Sequence, residues 1–233
     1  MKKQESTYIF DQERASSYDQ QREKLAPIRD ALHLLIRMVL SGLPTDARIL
    51  CVGIGTGAEL IYLAKEFPQW QFTAIEPAAP MLEVCRQRAE ENGIASRCVF
   101  HEGYLDSLPE IELYDAATCI LVSHFILQID DRRKFFEQIA KRLITNGCLV
   151  SADLATDMSA ATYESVLDIW ERTLKYSDMP TEEVDKQINS FGKKVAALPP
   201  KDTEKLIASS GFETPTLFFQ SLFIHTWYAR MRS

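Results

Sequence analysis

The chain has 233 residues, 46% hydrophobic and 25% charged, a composition that fits a folded domain and excludes a disordered chain. A formal net charge of −7, with the basic residues scattered among acids, argues against a general nucleic-acid-binding surface. No apolar run reaches membrane-spanning length, and Met1-Lys2-Lys3-Gln4-Glu5 has no apolar segment behind it of the kind a secretion signal requires. A cytoplasmic protein with no membrane partner is therefore expected. The five cysteines show no CxxC spacing. Cys51, Cys119 and Cys148 fall in apolar runs and read as buried thiols, not as disulfides or metal ligands.

Residues 1–24 are polar and aromatic. Pro27 then opens a helical pattern of Ile28, Ala31, Leu32, Leu35, Ile36 and Val39, closed by Gly42 and Pro44. Residues 49–52 predict a buried strand and 58–66 a helix, with Gly53, Gly55 and Gly57 making the turn between them. Strands follow at 71–75, 97–100, 116–122 and 149–152, separated by helices at 80–92 and from Asp130 or Asp131 to Asn146-Gly147. The run at 116–122 has no polar alternation, as a strand covered on both faces should look. Strand and helix alternating at this spacing mean right-handed βαβ units and a parallel sheet.

Residues 156–199 interrupt the alternation with two helical patterns, one through Tyr163, Val166, Trp170 and Leu174 and one after Pro180. A last helix at 203–210 ends at Gly211-Phe212, and 216–220 with 222–229 predict an antiparallel hairpin. The expected organisation is a single domain over 1–233, with an N-terminal helical lid at 1–44 and a helical insertion at 156–199 capping the acceptor site.

The glycine turn implies close approach of backbone to a ligand, where a Cβ would collide. Gly53-x-Gly55-x-x-Ala58 satisfies the dinucleotide fingerprint, and Glu76 lies near the roughly 20-residue offset that fingerprint requires. Gly53-x-Gly55-x-Gly57 equally satisfies the pattern of methyl-donor-binding proteins, so the glycines alone do not choose between the two cofactors. In either case a carboxylate at the tip of the second strand can accept hydrogen bonds from two ribose hydroxyls.

Further motifs bear on that choice: Glu76-Pro77-Ala78-Ala79-Pro80-Met81-Leu82, Gly103-Tyr104-Leu105-Asp106-Ser107-Leu108-Pro109, Tyr114-Asp115, and the closing Gly211-Phe212 with its hairpin. Over nearly its whole length the chain resembles the class I S-adenosylmethionine-dependent methyltransferases. The resemblance implies a Rossmann-like seven-stranded sheet of order 3-2-1-4-5-7-6 with strand 7 antiparallel, helices on both faces and a helical cap. It also implies S-adenosylmethionine as cofactor, a small-molecule acceptor, a monomer or homodimer, and cofactor contacts from Gly53, Ile54, Gly55, Gly57, Glu76, Pro77, Met81, Tyr104, Leu105 and Leu121. The chain departs from the family pattern at Cys51, where an acid is usual, and at Tyr104, where an aspartate is.

A narrower resemblance rests on Phe10-Asp11, Tyr18-Asp19 and Arg22, on Leu121-Val122-Ser123-His124-Phe125-Ile126-Leu127-Gln128, and on 218–223. It is to small methyltransferases neighbouring the enzymes that use carboxy-S-adenosylmethionine on tRNA uridine, which carry asparagine in place of His124. Carboxymethyl or methyl transfer to tRNA uridine, an NAD-dependent oxidoreductase and a non-catalytic cofactor-binding protein are the alternative readings.

His124, just past the fourth strand on the sheet's carboxyl edge, is the candidate catalytic base; the other reading is a histidine bonded to a backbone carbonyl at a helix start. Asp153 reads as a helix cap or a solvated charge. Tyr18 and Arg22 share a helical face and are read as folding over the cofactor, with Arg22 pairing the methionyl carboxylate, or as part of a plain amphipathic helix. Tyr163, Trp170 and Phe191 either line an acceptor pocket or pack as core. His33 is read as lying on the polar side of its helix without a partner.

Overall fold

The computed structural model describes residues 20–110 and 112–232, the side chains of Gln20, Gln21 and Arg22 excepted. Seven strands form one sheet: β1 (Arg48–Val52), β2 (Gln71–Glu76), β3 (Cys98–Glu102), β4 (Tyr114–Ile120), β5 (Leu143–Leu154), β6 (Thr216–Ser221) and β7 (Ile224–Arg230). Their order is β3-β2-β1-β4-β5-β7-β6, with β7 antiparallel to both neighbours and the other pairings parallel, as the sequence predicts.

Seven α-helices accompany the sheet among the described residues: α1 (Ala26–Leu40), α2 (Ala58–Glu66), α3 (Ala79–Glu91), α4 (Ile129–Ala140), α5 (Tyr163–Tyr176), α6 (Thr181–Ile188) and α7 (Pro200–Ser209). Strand side chains alternate between faces, so β1 feeds two cores. Ile49 and Cys51 pack with Leu32, Ile36 and Leu40 of α1, Leu60 of α2 and Leu82 of α3. Leu50 and Val52 pack with Phe136 and Ile139 of α4 and Leu206 and Ile207 of α7. Burial on both faces makes β1 an apolar run and holds its carboxyl end, where the glycine turn begins, in the middle of the molecule.

Two boundaries differ from the sequence reading. The helix that starts near Asp130 stops at Ala140, and Leu143 and Ile144, assigned by periodicity to its last turn, open β5 instead. The Tyr114 N–H donates to the Arg142 carbonyl, and Tyr114 pairs with Leu143, so strand pairing captures residues of ambiguous pattern. Asn146, at φ +65°, then kinks the strand. At the other end, β4 stops at Ile120, because Leu121 takes φ +60° and turns the chain away from the sheet.

The 156–199 insertion holds α5 and α6, joined through buried Leu174, Met179 and Val184. Its return is anchored to the body at Ala196, whose N–H donates to the His124 carbonyl.

Candidate active site

The turn after β1 takes three left-handed glycines, Gly53 at φ +67°, Gly55 at +57° and Gly57 at +84°. Each is glycine for a different reason. A Cβ on Gly53 would lie 2.5 Å from a Val122 methyl, and one on Gly57 would lie 2.5 Å from the Cys85 Sγ. At Gly55 the nearest atom among the described residues is the Met81 Cε at 3.8 Å, an ordinary contact, so among them the space above this glycine is otherwise open. The Gly53 and Ile54 N–H groups both donate to the Ile75 carbonyl, fixing the turn against the end of β2.

Glu76 ends β2, and its carboxylate braces the turn from the side. The Gly55 N–H donates to Oε2 at 3.0 Å and the Ala78 N–H to Oε1 at 2.9 Å. Burial pushes its pKa above the usual carboxylate range, against the pull of these two N–H donors. Beyond β3 the Ser107 hydroxyl donates to the Tyr104 carbonyl at 2.6 Å and lies 2.8 Å from the His101 Nε2. This folded turn presents the Tyr104 ring at 53% exposure, while the Leu105 side chain is buried in the core.

One strand along, a charged cluster is closed off from solvent. The His124 Nδ1 lies 3.1 Å from the Asp153 Oδ1, and the His124 backbone N–H donates to the same oxygen at 2.9 Å. The Ser123 hydroxyl donates to Oδ2 at 2.7 Å, and the Arg132 guanidinium stands 3.2 Å from that oxygen. Arg132 also donates to the Ser123 hydroxyl and to the Ala196 carbonyl. Burial alone would raise the Asp153 pKa; Arg132 and the bonds from His124 and Ser123 outweigh it and hold the carboxyl below its ordinary range.

The Leu154 N–H also points at the His124 Nδ1, at 3.4 Å. One nitrogen cannot donate to Asp153 and accept from Leu154 at once. The shorter, charge-assisted contact decides for an Nδ1–H donor, which leaves the lone pair on Nε2. Asp153 is therefore neither a helix cap nor a solvated charge, and the His124 ring bonds a carboxylate and not a backbone carbonyl. The reason is Arg132, whose side chain comes in from α4 to balance the buried charge.

Residues 49–147 match the family model described as a methyltransferase domain. The matched stretch, less than half of the chain, holds the glycine turn, Glu76 and the strands β1 to β4. The chain is 24% identical over 168 residues to the carboxy-S-adenosyl-L-methionine synthase of Campylobacter jejuni, an overlap of 70% of this chain and 68% of that protein. Among solved structures it resembles a Nostoc punctiforme protein assigned as an O-methyltransferase, with a TM-score of 0.66 at 15% identity over 88% of this chain and 57% of that one. It also resembles the mitomycin 7-O-methyltransferase, with a TM-score of 0.60 at 20% identity over 83% and 52% of the two chains. The chain thus spans little more than half the length of these structural neighbours.

Of the residues named from sequence, Gly53, Ile54, Gly55, Gly57, Glu76 and Met81 come together around the turn, with Ile54 and Met81 buried against it. Leu121, at its positive φ, leads from β4 into the His124 segment. Pro77 is exposed beside the Glu76 carboxylate. Tyr18 and the Arg22 side chain lie outside the described residues. Tyr163, Trp170 and Phe191 of the insertion converge on the buried Phe223 ring, at centroid distances of 5.9, 5.8 and 5.2 Å. Arg132 and Ser123 went unread in the sequence: Arg132 sits in the basic run 132–134 and carries no local mark of burial. No helix among the described residues is long and apolar enough to cross a membrane, and no group of three metal-ligating side chains occurs among them.

Proposed function

We propose that this chain is an S-adenosylmethionine-dependent methyltransferase that acts on a small-molecule acceptor whose reacting atom carries a proton, with His124 taking that proton. When bound, S-adenosylmethionine supplies an electrophilic methyl group on a sulfonium sulfur. The residues fit this donor: the open face of Gly55 leaves room for it against the backbone, and the lone pairs of Glu76 not used by Gly55 and Ala78 can accept its ribose hydroxyls. Pro77, Met81, Tyr104 and Leu121 are assigned to the walls around it, with Tyr104 as the exposed ring for the adenine and the Leu105 backbone at the ring edge.

The observation that carries the reading is the His124–Asp153 pair at the carboxyl ends of β4 and β5. Asp153 holds Nδ1–H, so Nε2 bears the basic lone pair, the arrangement a general base needs. The insertion, whose Ala196 N–H bonds the His124 carbonyl, is assigned to the exclusion of water and the seating of the acceptor. Tyr18 and Arg22 keep their proposed role of folding over the donor.

A second reading is favoured by the similarity to the carboxy-S-adenosyl-L-methionine synthase: a carboxylated donor, with tRNA uridine as the acceptor. Calorimetry with S-adenosylmethionine and NAD, mass spectrometry of any nucleoside that co-purifies, and methyl-transfer assays with phenols, carboxylic acids, amines and tRNA test both. Donor binding with turnover on a hydroxyl-bearing small molecule supports the first reading. A carboxylated nucleoside with turnover only on tRNA replaces it with the second.

A further inference from the structure

Glu59, two residues past Gly57 in the first turn of α2, is 9% exposed. Thr118 of β4 donates its hydroxyl to the Glu59 Oε1. Thr118 pairs across the sheet with Cys51 of β1, so the carboxyl lies over both strands on the face that carries α2, just under the glycine turn. The titratable groups on its face are Cys51 of β1 and Cys85 of α3, with Cys119 of β4 on the opposite face of the sheet, all thiols that burial holds neutral. No lysine, arginine or histidine pairs with Glu59 among the described residues.

A buried carboxyl without a cation is costly, and a core position in that place would be better filled by an apolar side chain. Its neighbours do not account for it: one hydroxyl bond serves one oxygen and leaves the charge unbalanced. Resting on the proposed donor, we infer that Glu59 is the counter-charge for the α-ammonium of the methionyl end of S-adenosylmethionine, whose carboxylate is assigned to Arg22. On this inference it stands protonated before binding and releases its proton to solvent as the donor's positive charge arrives. The carboxyl is held on Thr118, beside the strand position that Cys51 leaves uncharged. Burial raises the Glu59 pKa to about 7, so the acid form is present to be discharged near neutral pH.

Difference infrared spectroscopy of the full chain near pH 7, with and without saturating S-adenosylmethionine, reads the carboxyl directly. The expected result is loss of a protonated-carboxyl C=O band on binding, absent in Glu59→Gln, with donor affinity about tenfold weaker in that variant. An unchanged acid band in the wild type overturns the inference, as does the same band loss in a folded Glu59→Gln protein. Should that variant fail to fold, Thr118→Val keeps the carboxyl and removes its donor, and the band that disappears must then shift in frequency. A wild type that binds NAD and not S-adenosylmethionine defeats the functional reading, and this inference with it.

Discussion

The Asp153 carboxylate touches the His124 Nδ1 at 3.1 Å and the His124 backbone N–H at 2.9 Å, so a single residue of β5 fixes both the ring and the main chain of the segment that leaves β4. His124→Asn should keep donor binding and lower kcat on a proton-bearing acceptor by roughly 10²- to 10⁴-fold. Asp153→Asn removes the charge that holds Nδ1–H and should also lower kcat, with KM for the donor little changed. Steady-state kinetics of both variants check this; equal turnover with wild type would remove His124 from the chemistry.

Arg132 is 1% exposed and Asp153 is fully buried, so truncating either strands a charge. Arg132→Met is expected to cost about 3–5 kcal/mol of unfolding free energy, measured by urea titration. It also cuts the bond from Arg132 to the Ala196 carbonyl, which ties the insertion to the body. Limited proteolysis should therefore cleave within 156–199 faster in the variant than in wild type. A loss below about 1 kcal/mol, in the range of an exposed ion pair, would show that the cluster is not closed to water.

The three turn glycines separate stability from binding. In Gly57→Ala the new methyl must meet the Cys85 Sγ and adopt φ +84°, and the cost should be about 1–3 kcal/mol of stability. Among the described residues Gly55→Ala meets no atom closer than 3.8 Å, so beyond the strain of φ +57° its effect should fall on the donor. Thermal melts and calorimetry on the two proteins should rank them in opposite order, Gly57→Ala the less stable and Gly55→Ala the weaker binder.

Most of the fold could be read in the sequence because burial on both faces writes β1, β4 and the core of β5 as apolar runs, and because glycine and proline mark the turns. The start of β5 could not, since Leu143 and Ile144 satisfy helix and strand periods alike and only pairing with Tyr114 decides between them. The cofactor side of the site was readable in the same way: positive φ and close approach demand glycines at fixed spacing. The Asp153 cluster was not, because its partners come from the segment after β4, from α4 and from β5, and nothing local distinguishes a buried Arg132 from the half-buried Arg133 and exposed Lys134 nearby. His33 was misjudged for a related reason: it is 7% exposed because Tyr62 of α2 covers it, at a ring distance of 5.5 Å.

That buried histidine and Glu59 should bend the pH–stability curve in opposite senses. Burial, with Arg29 adding to it, lowers the His33 pKa from 6.5 to about 4. Between those values the unfolded chain binds a proton that the folded one refuses, so stability falls as pH drops from 6.5 towards 4, by up to about 3 kcal/mol. Glu59 is raised from 4.5 to about 7 by burial, so the folded chain holds a proton that the unfolded one has lost, and stability falls as pH climbs through that window. His33→Phe should therefore flatten the acid side of the curve, with little effect at pH 8. Glu59→Gln should flatten the neutral side and raise the melting temperature at pH 8 relative to wild type. Urea unfolding of the three proteins at pH 4.5, 6 and 8 checks both slopes; parallel curves would mean that neither group is buried as described.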